Sequence, residues 1–160
     1  MENTHHLSMK QLQAGLDDIL QSPKDLGTLE LIVSRPAEDK RLILEAGQLD
    51  PDQGLVGDSW RVRGSLKTPD GSADLDQQIS IMNTRVISLL AVEKERWPLA
   101  GDQLYVDMDL SAQNLPPGTN LSIGAAIIMV TDQPHTGCDK FMARFGRMHF
   151  DSPVLQSDVN

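Results

Sequence analysis

Cysteine occurs once in the 160 residues, at Cys138, so no disulfide can form within the chain and a reducing compartment suits it. No apolar run is long enough to span a bilayer, and Met1-Glu2-Asn3-Thr4-His5-His6 lacks the basic and apolar regions of an export signal. A soluble, cytoplasmic protein with no membrane partner is the expectation. Basic residues are outnumbered, 14 Lys and Arg against 23 Asp and Glu, for a net charge of −9. That balance argues against a nucleic-acid binder, which needs a basic surface to displace counterions. Neither a Gly-x-x-x-x-Gly-Lys loop nor a Gly-x-Gly-x-x-Gly turn is present. Cys138, His135 and His149 are too few for a zinc site, and His5 and His6 are remote in sequence. There are no internal repeats and no low-complexity segment, and the length fits one domain with one sizeable core.

Against these absences, reactive and basic groups crowd into His135-Thr136-Gly137-Cys138-Asp139-Lys140-Phe141-Met142-Ala143-Arg144-Phe145-Gly146. Phe141 and Phe145 are four apart, as are Lys140 and Arg144, so a short helix would bury the rings on one side and present the cations on another. Gly146 would end it. Cys138 then lies at the first turn, where unpaired N–H groups and the helix dipole favour an anion such as a thiolate. Lys140, Arg144, Arg147 and protonated His135 would favour it further. The competing reading of a lone cysteine is a small buried hydrophobe.

In chain order, Ser8 and Gln11 can form a capping box for a helix carrying Leu12, Leu16, Ile19 and Leu20 on one face, stopped at Ser22-Pro23. From Gly27 the texture becomes β-like. Strands are predicted at Thr28–Ser34 and Arg41–Glu45, with Arg35-Pro36 as a break between them. In Trp60-Arg61-Val62-Arg63, alternation predicts a strand with Arg61 and Arg63 on one side, either gripping a phosphate by forked hydrogen bonds or forming a solvated face. Asp58, just before it, is either a side-chain acceptor for loop N–H groups or a site residue. Residues 67 to 77 read as a surface loop. Ile79 and Ile81 open a strand, and Asn83 or Thr84 caps a helix bearing Val86, Ile87 and Leu90. Arg85 lies in that turn, where a guanidinium and backbone N–H groups could together receive an oxyanion.

Leu104–Asp109 alternates strictly and predicts a half-buried strand. Pro116-Pro117-Gly118 forms a turn, and Gly124-Ala125 a two-residue hairpin between Leu121–Ile123 and Ala126–Thr131. Many short strands with a few short helices predict a mainly β, α+β fold closed into a barrel. The expected divisions are a helical extension over 1–27, a barrel domain over 28–150 and a tail over 151–160.

The run His135-Thr136-Gly137-Cys138-x-Lys140-Phe141-x-x-Arg144-Phe145-Gly146 resembles the C-terminal signature of the MOSC domain, named for the C-terminal part of molybdenum cofactor sulfurase. Gly54-Leu55-Val56-Gly57-Asp58-Ser59-Trp60 resembles the early Gly-Asp motif of that family. Leu115-Pro116-Pro117-Gly118-Thr119-Asn120-Leu121-Ser122-Ile123-Gly124 resembles its Pro-Gly-x-x-Leu-x-Ile-Gly run. The resemblance covers about residues 28 to 150. It implies a barrel-like fold in which the cysteine matching Cys138 either carries sulfane sulfur or ligates molybdenum in the molybdopterin cofactor, with His135 beside it. Arg61, Arg63, Arg85, Lys140 and Arg144, with Asp58, are the residues expected around that anionic cofactor. Pyridoxal phosphate is not expected, because the sulfurases bind it in a separate domain. Longer members continue through an Asn-Ser-Pro segment into further strands, whereas here Met148-His149-Phe150-Asp151-Ser152-Pro153 leads to Asn160. The barrel is therefore expected to be incompletely closed at the C-terminus, its open edge covered by the first helix, the tail or a second subunit.

Two functions follow. One is a MOSC protein that binds molybdenum cofactor or carries sulfur, the terminal component of a reductase for N-hydroxylated compounds served by a separate electron-donor or sulfurase protein. The other is a non-catalytic β-barrel module for a small anionic ligand. A homodimer is expected in either case.

Overall fold

A computed structural model describes residues 6–133 and 138–146. His135, Arg147, His149 and the tail 151–160, all weighed above, lie outside the described residues.

Helix α1 (Met9–Leu20) begins at the expected capping box: the Ser8 hydroxyl accepts from Gln11 N, and Ser8 N donates to Gln11 Oε1 at 2.9 Å. Its Leu12 and Ile19 are buried in the main core. Gly15 meets Leu89 so closely that an added Cβ would come within 2.6 Å of a Leu89 methyl carbon. The absence of a side chain is thus what lets α1 approach the later helix.

Strand β1 (Thr28–Ser34) pairs antiparallel with β2 (Leu42–Leu44) on one side. Two-residue strands β3 (Leu49–Asp50) and β4 (Gly54–Leu55) form a small ribbon, and a single helical turn, α2 (Trp60–Arg63), follows. Strand β5 (Ile81–Asn83) runs straight into α3 (Thr84–Ala91), as the cap residues predict: Asn83 Oδ1 accepts from Arg85 N at 2.8 Å and Val86 N at 3.1 Å. A 3-10 segment, Lys94–Ala100, leads to β6 (Leu104–Asp107). There β6 pairs antiparallel with β1 and parallel with β5, giving a sheet in the order β2-β1-β6-β5. Strands β7 (Asn120–Ile123) and β8 (Ala126–Met129) form the expected hairpin, with Gly124 at φ +57°. Last comes α4 (Asp139–Phe145), with Phe141 and Phe145 buried and their ring centroids 5.1 Å apart.

The fold is α+β, with short helices and, among the described residues, three small sheets. Among the described residues the strands do not close into a barrel, and no helix is long and apolar enough to cross a membrane. Alternation in β6 predicted one covered face, but both are covered, because separate apolar clusters pack on the two sides of the sheet. Tyr105 joins Val33, Met82, Trp97, Phe141 and Phe145 in the main core, while Val106 joins Leu110 and Leu115 on the opposite face.

Candidate functional site

At the end of β1, Arg35 turns back onto Asp58. Its backbone N donates to Asp58 Oδ2 at 2.8 Å, Nε to the same oxygen at 2.9 Å and Nη2 to Oδ1 at 3.0 Å, while Nη1 donates to Gly101 O at 2.9 Å. The Asp58 side chain is fully buried. Burial alone would raise its pKa, but the hydrogen bonds and charge of Arg35, with a further bond from Trp60 N, hold it below the usual carboxylate range.

That bond from Trp60 N to Asp58 Oδ1, at 2.9 Å, bends Trp60-Arg61-Val62-Arg63 into helix α2 instead of the predicted strand. Alternation over four residues is too short to choose between the two, and the buried carboxylate decides. On a helix, residues two apart point roughly 200° away from each other, so Arg61 and Arg63 part company. Arg63 lines a cavity of ≈ 610 Å³ and Arg61 does not. The same wall carries Arg35 and Val62. Cys138, Lys140 and Phe141, at the start of α4, also line the cavity, as does the loop from Pro36 to Arg41. Such a volume suits a small organic ligand.

Cys138 occupies the N-cap position of α4 (φ −75°, ψ 168°), its thiol is exposed and makes no capping bond, and its carbonyl accepts from Met142 N at 3.0 Å. The buried-hydrophobe reading of this cysteine is excluded.

The cations around the cavity divide into two groups. Lys140 Nζ donates to Glu38 Oε1 and Asp39 Oδ1, both at 2.9 Å, and Arg144 reaches Asp39 at 3.4 Å and Leu99 O at 2.9 Å. These two latch α4 to the bordering loop, in which Asp39 holds a positive φ of 56°. Arg41 and Arg63, by contrast, have no carboxylate within ion-pair distance among the described residues. Among the described residues, Arg41 donates to the carbonyls of Pro98 and Lys40. Burial, and then the charges of Arg144 and Arg35, hold Arg41 below the ordinary arginine pKa; burial, and then the charge of Arg35, do the same for Arg63. Both remain cationic at neutral pH, so positive charge is crowded here without full compensation. An incoming anion would relieve it.

Asp58 and Arg85, like Arg61, do not line this cavity. Asp58 touches the cavity only through Arg35, because its oxygens are saturated. Arg85 lies outside the cavity: Nε donates to Asp107 Oδ1 at 2.7 Å and Nη1 to Asp18 O at 2.9 Å. The N–H groups expected to receive an oxyanion beside it are capped by Asn83. Conversely, Arg35 and Arg41 were missed. In sequence they are a strand break and a strand start, and their partners lie far along the chain: a carboxylate 23 positions away for Arg35 and the Pro98 carbonyl 57 positions away for Arg41.

A second cavity, ≈ 710 Å³, adjoins the first and shares Arg35 and Arg63 with it. No protein-family model, curated protein or solved structure matches the chain.

Proposed function

We propose that the chain binds a small anionic cofactor in the Arg41–Arg63 cavity with Cys138 at its edge, in the manner of a MOSC domain. The observation that carries this reading is the placement on one cavity of an exposed thiol and two arginines with no carboxylate in ion-pair distance among the described residues. Among the described residues no group of three or more His, Cys, Asp and Glu is placed to hold a metal ion. A bare metal would therefore lack a cage, whereas a metal arriving with its own organic ligands needs only one soft ligand from the protein. The residues fit molybdenum cofactor on those terms: Cys138 would contact the metal, and Arg63 and Arg41 would hold the negative charge of its phosphate and dithiolene. Bound there, the cofactor would supply two-electron, oxygen-removing chemistry on an N-hydroxylated compound, with electrons from a separate donor protein. The sulfur-carrying version uses the same thiol without the metal.

On this reading the three small sheets correspond to part of a MOSC-type barrel. Edge strand β2, with Leu42 54% and Ile43 60% exposed, is the edge a second copy would cover; light scattering that shows a monomer at high micromolar concentration would remove that homodimer. A second reading, a non-catalytic module for a small anion, is favoured by the same arginines, which need no thiol to hold a ligand.

The test is molybdenum and pterin measured per chain after expression in cofactor-competent cells. Near-stoichiometric metal that is lost in Cys138→Ser supports the first reading. Metal in neither protein leaves the second.

A further inference from the structure

The sheet β2-β1-β6-β5 is unequally covered. One face carries α1 and α3 on a large core, whereas the other, presenting Ile81 and Val106, meets a small cluster with Leu110 and Leu115. Above that cluster stands the β7–β8 hairpin. Its register sets Leu121 opposite Ile128 and Ile123 opposite Ala126, so these side chains share the face of the hairpin that points inward. None of them is more than partly buried. The gap between hairpin and sheet is the ≈ 710 Å³ cavity, floored by Ile81, Leu110 and Leu115 and roofed by Leu121 and Ile128. A layer that in most domains would be filled with side chains is here left open.

The charges on this cavity are unevenly matched. Arg35 is neutralised by Asp58, whereas Arg63 and Lys67 have no carboxylate within ion-pair distance among the described residues. Two acids line it as well: Asp50, whose Oδ1 accepts from the N–H groups of Asp52 and Gln53, and Asp76, whose backbone carbonyl, not its carboxylate, accepts from the Thr131 hydroxyl; neither is within ion-pair distance of Arg63.

We infer that this second cavity binds an amphiphilic monoanion, an apolar chain or ring system lying between hairpin and sheet with its anionic head at Arg63. Apolar surface in the ligand would complete the unfinished layer and gain roughly 25 cal/mol per Å² removed from water. The head would be attracted to Arg63, a cation with no carboxylate in ion-pair distance among the described residues. The site does not require the thiol or a metal, because Cys138 does not line it.

Dodecanoate and dodecanol, which share a tail and differ in charge, test this on the cofactor-free chain by calorimetry below the concentration at which dodecanoate forms micelles. Dodecanoate is expected to bind once per chain and at least tenfold more tightly than dodecanol. Arg63→Gln should abolish that difference, and Ile128→Trp, which fills the cavity, should weaken both ligands. Methyl chemical shifts of the unaltered chain provide the readout that needs no variant: those of Leu110, Leu115, Leu121 and Ile128 should move on addition of dodecanoate. Absence of saturable binding, or shifts confined to other methyl groups, would overturn the inference. Neither result bears on molybdenum content, so this site and the cofactor reading can fail separately.

Discussion

Arg35 and Asp58, 23 residues apart in sequence, are joined by three hydrogen bonds of 2.8 to 3.0 Å, and the carboxylate is fully buried. This pair sets the end of β1 against the start of α2 and so shapes the wall on which Arg63 stands. Removing one partner of a buried pair leaves the other charge uncompensated and costs about 3–5 kcal/mol. Asp58→Ala is therefore expected to lower the melting temperature sharply. Because the folded-state pKa of Asp58 is depressed, its contribution is present above the unfolded value of about 3.9 and is lost as pH falls below it. Urea titrations should show an acid-side loss of stability that shrinks in Asp58→Asn. An unchanged acid limb would count against the pair as its source.

Cys138 should be alkylated by iodoacetamide in the native chain without denaturant, since its thiol is exposed. A small anion in the adjoining cavity should slow the labelling, and Arg41→Gln with Arg63→Gln should remove that protection. Protection that survives both substitutions would place the anion elsewhere.

Asp39 holds Lys140 and Arg144 against the bordering loop, and these exposed pairs are screened by salt. Asp39→Asn keeps a residue tolerant of positive φ and removes the carboxylate that Lys140 and Arg144 share, leaving Lys140 on Glu38 and Arg144 on the Leu99 carbonyl. Phosphate or molybdate should then bind several-fold more tightly with little change in melting temperature; equal affinity would show that the latch does not compete with the ligand. Lys140 hydrogen bonding, then its charge, lowers the Asp39 pKa, so the latch should persist through mild acid and release only as pH falls below the usual carboxylate range.

Arg85 bridges Asp107 on β6 and Asp18 on α1. Arg85→Met should cost about 1 kcal/mol, or roughly 2–4 °C in Tm, since the pair is partly exposed. Anion affinity should be unchanged. A loss of binding with unaltered stability would return this arginine to the site.

Tyr105 is fully buried and donates to Trp97 O at 2.8 Å. Burial, then the charge of Asp102, raises the phenol pKa. The neutral phenol therefore contributes stability that is fully present below the unfolded value of about 10 and lost as pH rises above it. Tyr105→Phe should be about 1–3 kcal/mol less stable at neutral pH, because the Trp97 carbonyl loses its donor, and should show a flatter alkaline limb.

What the chain spells out locally it also forms locally. Ser8 and Gln11 cap α1, Asn83 caps α3, Gly124 turns the hairpin and the Phe141–Phe145 spacing makes α4, because caps, turns and periodicities act within a few residues and need no distant partner. What the tertiary structure alone decided depends on groups far apart in sequence. Asp58 made a helix of residues that alternate like a strand, Asp107 and Asp18 hold Arg85 away from the Cys138 cavity, and the fold of β1 onto the 58–63 turn brought Arg35, Arg41 and Arg63 to Cys138. Charge pairing inside a low-dielectric interior depends on distance in space, and four-residue patterns hold no record of it.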